Sequence, residues 1–160
     1  MPKDVTIKVF RFEELSESAK EKARDWWRYG MEFAWCDESK DSIRAFCAQF
    51  GIRLRNWNIG PFRPVDYELS EYDNSNFRGM KLREFERECY PTGYCLDATL
   101  SIEFYDTFKK TGDAKLAFES AVHAGFIAWR DDMEYQTEPE HIDDCLIAND
   151  YEFTEDGSIW

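Results

Sequence analysis

Between Asp131 and Asp156 the chain places eleven acidic side chains and no Lys or Arg. A tract charged that way either stays a solvated tail or folds with its carboxylates turned outward, and its other residues decide which. Pro139 stands where a helix can open. Residues 151–154 (Tyr-Glu-Phe-Thr) and 158–160 (Ser-Ile-Trp) flank Glu155-Asp156-Gly157, a hairpin signal with Asp-Gly at the turn. Tyr135, Tyr151, Phe153 and Trp160 add rings that a disordered acidic segment would lack. The tract is therefore expected to fold as the end of one helix, a second helix and a hairpin, which folding can gather into a rigid anionic ridge.

The rest of the chain is close to balanced. Residues 1–60 carry eleven basic and ten acidic groups, residues 61–111 seven and ten, and residues 112–160 two and thirteen. Almost all of the formal charge of −13 thus sits in the last third. Such a surface is repelled by DNA phosphates and anionic membranes, so direct nucleic-acid or membrane binding is not expected. The expected partner is a basic host protein or ribonucleoprotein complex, above all one with a groove built for nucleic acid. The candidate partner-binding residues are Asp131, Asp132, Glu134, Glu138, Glu140, Asp143, Asp144, Asp150, Glu152, Glu155 and Asp156. A solvating acidic surface with no partner is the plain alternative.

An apolar fraction of 43% with 17% aromatics is that of a folded chain with a core built on large rings. At 160 residues one domain is expected. No apolar run approaches the roughly 20 residues that span a bilayer, and no secretory h-region follows Met1. Five cysteines without a CxxC pair read as free thiols packed as small hydrophobes, in a cytoplasmic protein. His141 and Cys145, one helical turn apart, are too few for a zinc site.

Residues 5–10 alternate and read as a strand. Ser16 and Ser18 both offer N-caps, Ser18 with Glu21 at capping-box spacing, for a helix to about Phe33. Its Lys20, Lys22, Arg24 and Arg28 interleave with acids and read as a solvated face with i,i+4 pairs. A second helix is expected from about Ser39, with Ile43, Phe46, Cys47 and Phe50 inward and Gly51 as C-cap. Residues 52–59 and 65–69 form a hairpin across Gly60-Pro61, while residues 71–79 are the least ordered candidate. Residues 81–89 could form a short helix.

Residues 96–110 fit both a helical and an alternating pattern, and the basic residues at the segment's end favour helix. Asp113 then caps a helix to about Gln136, with Leu116, Ala117, Ala121, Ala124, Ile127, Ala128 and Met133 inward, and Pro139 opens the last helix, to about Asn149. The fold expected is α+β: a small antiparallel sheet, drawn from the N-terminal strand, the middle hairpin and the C-terminus, packed against four or five helices.

Residues 12–28, Phe-Glu-Glu-Leu-Ser-Glu-Ser-Ala-Lys-Glu-Lys-Ala-Arg-Asp-Trp-Trp-Arg, resemble a family of small phage and prophage proteins. Phe50-Gly51-Ile52, residues 91–95 (Pro-Thr-Gly-Tyr-Cys) and residues 148–157 (Ala-Asn-Asp-Tyr-Glu-Phe-Thr-Glu-Asp-Gly) fit the same pattern in order. Members are sometimes labelled antitoxins of a toxin–antitoxin stability system. The resemblance implies phage origin and a partner-binding protein without enzymatic activity. Residues 59–65 depart from it, reading Ile-Gly-Pro-Phe-Arg-Pro-Val where relatives more often have a Gly- and aromatic-rich hairpin.

No catalytic constellation stands out. There is no GxSxG, phosphate-binding Gly loop, HExxH or EF-hand spacing. His123 reads as a helix histidine, and the adjacent pairs Asp131-Asp132 and Asp143-Asp144 diverge by ~100° on a helix. Neither catalytic residues, metal nor cofactor are expected. Two functions fit: an inhibitor of a host defence or nucleic-acid-handling complex, of the anti-CRISPR or anti-restriction type, or an antitoxin-like binder of one toxin.

Overall fold

Two separate two-stranded antiparallel sheets and five helices make up the α+β fold of the computed structural model, which describes all 160 residues. In chain order they are β1 (Phe10–Arg11), α1 (Glu17–Gly30), α2 (Cys36–Ala48), β2 (Leu54–Asn58), β3 (Asp66–Leu69), α3 (Leu96–Thr111), α4 (Ala114–Gln136), α5 (Pro139–Ala148) and β4 (Glu152–Phe153). Single 3-10 turns lie at Phe12–Glu14, Asn74–Phe77 and Leu82–Glu84. The elements divide into two compact units: Met1–Phe33 with Tyr135–Trp160, and Ala34–Glu134.

In the first unit β1 pairs with β4, Phe10 opposite Phe153 and Arg11 opposite Glu152. Phe153 also bridges Ile159 across the Asp156-Gly157 turn, so the expected C-terminal hairpin forms. The N-terminal strand is much shorter than its alternation suggests. Residues 5–9 have no strand partner, and Val5 and Ile7 are exposed, because β4 offers only two residues to pair with. Ser16 caps α1, its Oγ accepting the Ala19 N–H at 3.2 Å. The helix stops at Gly30, three residues short of the expected end. Ala19 and Ala23 bury against Phe12, Leu15, Ile142, Leu146 and Phe153.

The C-terminal turn presses on the backbone of α1 at Ala19. A Cβ on Gly157 would lie 2.1 Å from the Ala19 carbonyl oxygen, and Gly157 holds φ +89°. Only glycine meets both demands.

The second unit is a helical core with a hairpin. Ile43, Phe46, Cys47 and Phe50 of α2 and its C-terminal turn are buried as the period requires, and Gly51 takes the left-handed cap. Rings of Phe46, Phe50, Phe104 and Phe118 stack and tilt at centroid separations of 5.1–5.9 Å. Residues 96–111 are helix, ended by Gly112, whose N–H returns to the Phe108 carbonyl. Asp113 caps α4 by accepting the Leu116 N–H at 3.1 Å.

The buried stripe of α4 differs from the aliphatic one expected. Phe118, Val122, Phe126 and Trp129 line it with Ala117, Ala121 and Met133, whereas Leu116 is exposed. Gly125 completes the stripe, since a Cβ there would meet Leu100 of α3 at 2.6 Å. β2 and β3 form the expected hairpin, with Trp57 opposite Tyr67, but as a sheet of their own and not as part of a common one. Residues 71–79, expected to be the least ordered, are held by a 3-10 turn. Asp73 caps it, Asn76 donates to the Phe50 carbonyl and Phe77 is buried.

Candidate functional site

The acidic tract begins on the last turns of α4. Glu134 accepts the Phe62 backbone N–H at 2.8 Å, and Arg130, beside Glu134, donates to the Arg63 carbonyl. Both therefore clamp the Pro61–Pro64 bend, where Phe62 holds φ 59° with its ring 75% exposed. Asp131 is exposed at 3.6 Å from Arg130. Asp132 is half-buried near Tyr94, whose hydroxyl is raised above its ordinary pKa chiefly by burial, with Cys95 and Asp132 adding to the shift. These three acids lie in the second unit.

The remaining eight lie in the first unit, and the fold sorts them into two sets. Asp143 is taken by Arg24, with Nε to Oδ1 at 2.7 Å and Nη2 to Oδ2 at 2.8 Å. Arg24 is also held by Glu21 at 3.0 Å and lies 5.7 Å over the Phe12 ring. Its side chain is only 13% exposed, and the carboxylate bonds hold its proton more firmly than usual. Asp150 is bound by Arg11. Asp156 accepts from Lys22, from the Thr154 hydroxyl and from the Ser158 N–H, and those bonds, Lys22's first, keep its carboxyl well below the usual range.

Glu138, Glu140, Asp144, Glu152 and Glu155 are exposed and meet no cation of the chain. Ile142 and Leu146 set the buried side of α5, which turns Glu140 and Asp144, four residues apart, to solvent.

The basic residues of α1 are thus more than a solvated face. Their local pairs are at i,i+3 (Arg24 with Glu21, Arg28 with Asp25), not i,i+4, and Arg24 and Lys22 reach acids far along the chain. A signal for this existed: Arg24 follows the buried Ala23 directly and so borders the helix's inner stripe.

Other candidate chemistry is quiet. Cys145 Sγ lies 3.5 Å from His141 Nε2, but burial and Asp144 push the thiol pKa up, away from a reactive thiolate. All five cysteines are free, and His123 is exposed on α4. No helix is long and apolar enough to cross a membrane.

The residues 91–95 segment is organised by a carboxylate that sequence reading passed over. Asp97, 2% exposed, accepts from the Thr92 N–H at 2.8 Å, the Thr92 hydroxyl and the Gly93 N–H at 3.0 Å. Comparison with family models, curated proteins and solved structures finds no match to this chain.

Proposed function

We propose that this chain is a phage-encoded acidic protein that binds and inhibits a host defence or nucleic-acid-handling complex, of the anti-CRISPR or anti-restriction type. It does so in the host cytoplasm by occupying a basic surface that otherwise holds nucleic acid. One observation carries the reading. Within residues 138–155 five carboxylates are exposed and uncompensated, while the nearby cations Arg11, Lys22 and Arg24 are already engaged by Asp150, Asp156 and Asp143. These five are held on a folded scaffold, so their spacing is fixed in advance. A nucleic-acid groove is selected for such an array, since duplex DNA presents one charge per ~1.7 Å of axis.

The test is phage plating on hosts carrying a restriction or CRISPR system, with and without expression of the chain. Restored plating is expected, and is expected to vanish when Glu138, Glu140, Asp144, Glu152 and Glu155 are replaced by Gln or Asn. Binding to the inhibited complex should weaken steeply with salt. Undiminished inhibition by the five-site variant would overturn the reading. So would growth rescue confined to co-expression with a linked toxin, the antitoxin-like alternative.

A further inference from the structure

Trp26 and Trp27, near the end of α1, meet Tyr151, which follows α5. The Tyr151 ring lies 5.4 Å from that of Trp26 at 78° and 6.1 Å from that of Trp27 at 65°. Each indole therefore meets Tyr151 edge to face, and the three rings form walls rather than a stack. With Gly30, Met31 and Glu32 they line a cleft of about 370 Å³, large enough for a long side chain. The end of α1 at Gly30 opens it, since a Cβ there would meet nothing within 4 Å.

Two properties specify an occupant. The faces of indole and phenol rings carry negative potential, and Trp binds cations best. Within this unit the chain's own cations lie instead over phenylalanines: Lys8 over Phe10 at 5.0 Å, and Lys20 and Arg24 over Phe12 at 5.7 Å. No chain cation lies over Trp26, Trp27 or Tyr151. Glu32 brings an exposed carboxylate without a cation partner, and the uncompensated Glu152 follows Tyr151 directly.

We propose that this cleft binds an arginine side chain of the basic partner. The planar, weakly hydrated guanidinium stacks on an indole and pairs with Glu32, which a compact, strongly hydrated ammonium does less well. The inference rests on the reading of a cationic partner and adds the side chain by which it is gripped.

The test uses the full chain, ¹⁵N-labelled, titrated with acetyl-Gly-Arg-Gly-amide and with the neutral citrulline counterpart. The Trp26 and Trp27 indole signals, assigned through Trp26→Phe and Trp27→Phe, should shift saturably with the arginine peptide. The citrulline peptide should bind roughly tenfold more weakly or not at all. Glu32→Gln should weaken the arginine peptide by about two- to fivefold, and Trp26→Ala should abolish its effect. Equal response to both peptides, or no saturable shift, overturns the proposal.

Oligolysine separates this from the broader reading. Its salt-dependent binding should survive Trp26→Ala and fail in a variant with Glu138, Glu140, Asp144 and Glu155 replaced, which leaves Glu32 and Glu152 beside the cleft and keeps its arginine-peptide shifts. Loss of only the oligolysine result sinks the acidic-surface reading, and loss of only the arginine result sinks this site.

Discussion

Arg24 of α1 grips Asp143 of α5 through two parallel hydrogen bonds of 2.7 and 2.8 Å, so the acidic helix is tied to the rest of its unit by one of its own carboxylates. Asp143 is 27% exposed against 13% for Arg24, which makes this the most buried ion pair between separate elements of that unit. Neutralising Asp143 leaves the largely desolvated Arg24 with Glu21 as its one remaining carboxylate. Asp143→Asn is expected to lower stability in urea denaturation by about 1–3 kcal/mol. Asp144→Asn, one residue on and exposed, should stay within about ±0.5 kcal/mol. Equal losses would show that the fold does not sort these neighbours.

That sorting marks the limit of what the sequence disclosed. Helices were legible because caps and apolar periods coincide: Ser16, Gly51, Asp113 and Pro139 all stand at or beside helix ends. Residues 96–111 were ambiguous by pattern, and their helix is decided by packing of Leu100, Phe104 and Phe108 into the ring cluster. The strand at residues 5–10 failed for the converse reason, since alternation specifies a strand only where a partner of equal length exists. Likewise the acids could be counted but not sorted. Whether Asp143 or Asp144 meets a cation depends on residues more than a hundred positions away.

Asp156 makes one part of stability pH-dependent. Its carboxyl is held below its ordinary value of 3.8 by Lys22, Thr154 and Ser158. A depressed folded-state pKa adds stability that is complete above the unfolded value and lost as pH falls through the folded one. The contribution should therefore be present at neutral pH and begin to disappear near pH 4 and below. Thermal melts from pH 7 to pH 2 should show a shallower acid decline for Asp156→Asn than for the parent. Parallel declines would place the acid sensitivity elsewhere.

Gly157→Ala meets two obstacles at once. The added methyl would be driven into the Ala19 carbonyl of α1, and φ +89° disfavours any side chain. Overpacking of this kind costs about 1–3 kcal/mol, and the left-handed backbone adds about 1–2 kcal/mol. The variant should melt well below the parent, while Gly79→Ala, which has φ +75° but open space, should show only the backbone part. Similar losses at the two glycines would remove the close-approach argument.

Asp97 should behave as a keystone of the Pro91–Cys95 turn. Asp97→Ala leaves the Thr92 and Gly93 N–H groups, on exposed residues, without their acceptor, at a cost of about 0.5–1.5 kcal/mol for each hydrogen bond lost. Amide exchange is the direct measurement: protection at Thr92 and Gly93 is expected to collapse, with that at Phe118 falling only as far as global stability falls. Retained protection at the turn would mean that its backbone holds itself.

Phe62 offers the sharpest contrast between strain and packing. It is an aromatic residue at φ 59° whose ring is exposed, held in place by Glu134 on its N–H. Replacing it with Gly relieves about 1–2 kcal/mol of backbone strain and gives back about 0.5–1 kcal/mol in unfolded-chain entropy. Phe62→Gly should therefore leave stability unchanged or raise it by up to about 1.5 kcal/mol, whereas Phe118→Ala, in the buried cluster, should lose about 3–5 kcal/mol. A marked loss at Phe62 would mean that the ring serves the fold. Unchanged stability would mean that an exposed ring is carried at the cost of strain, beside Glu134, for a purpose other than folding.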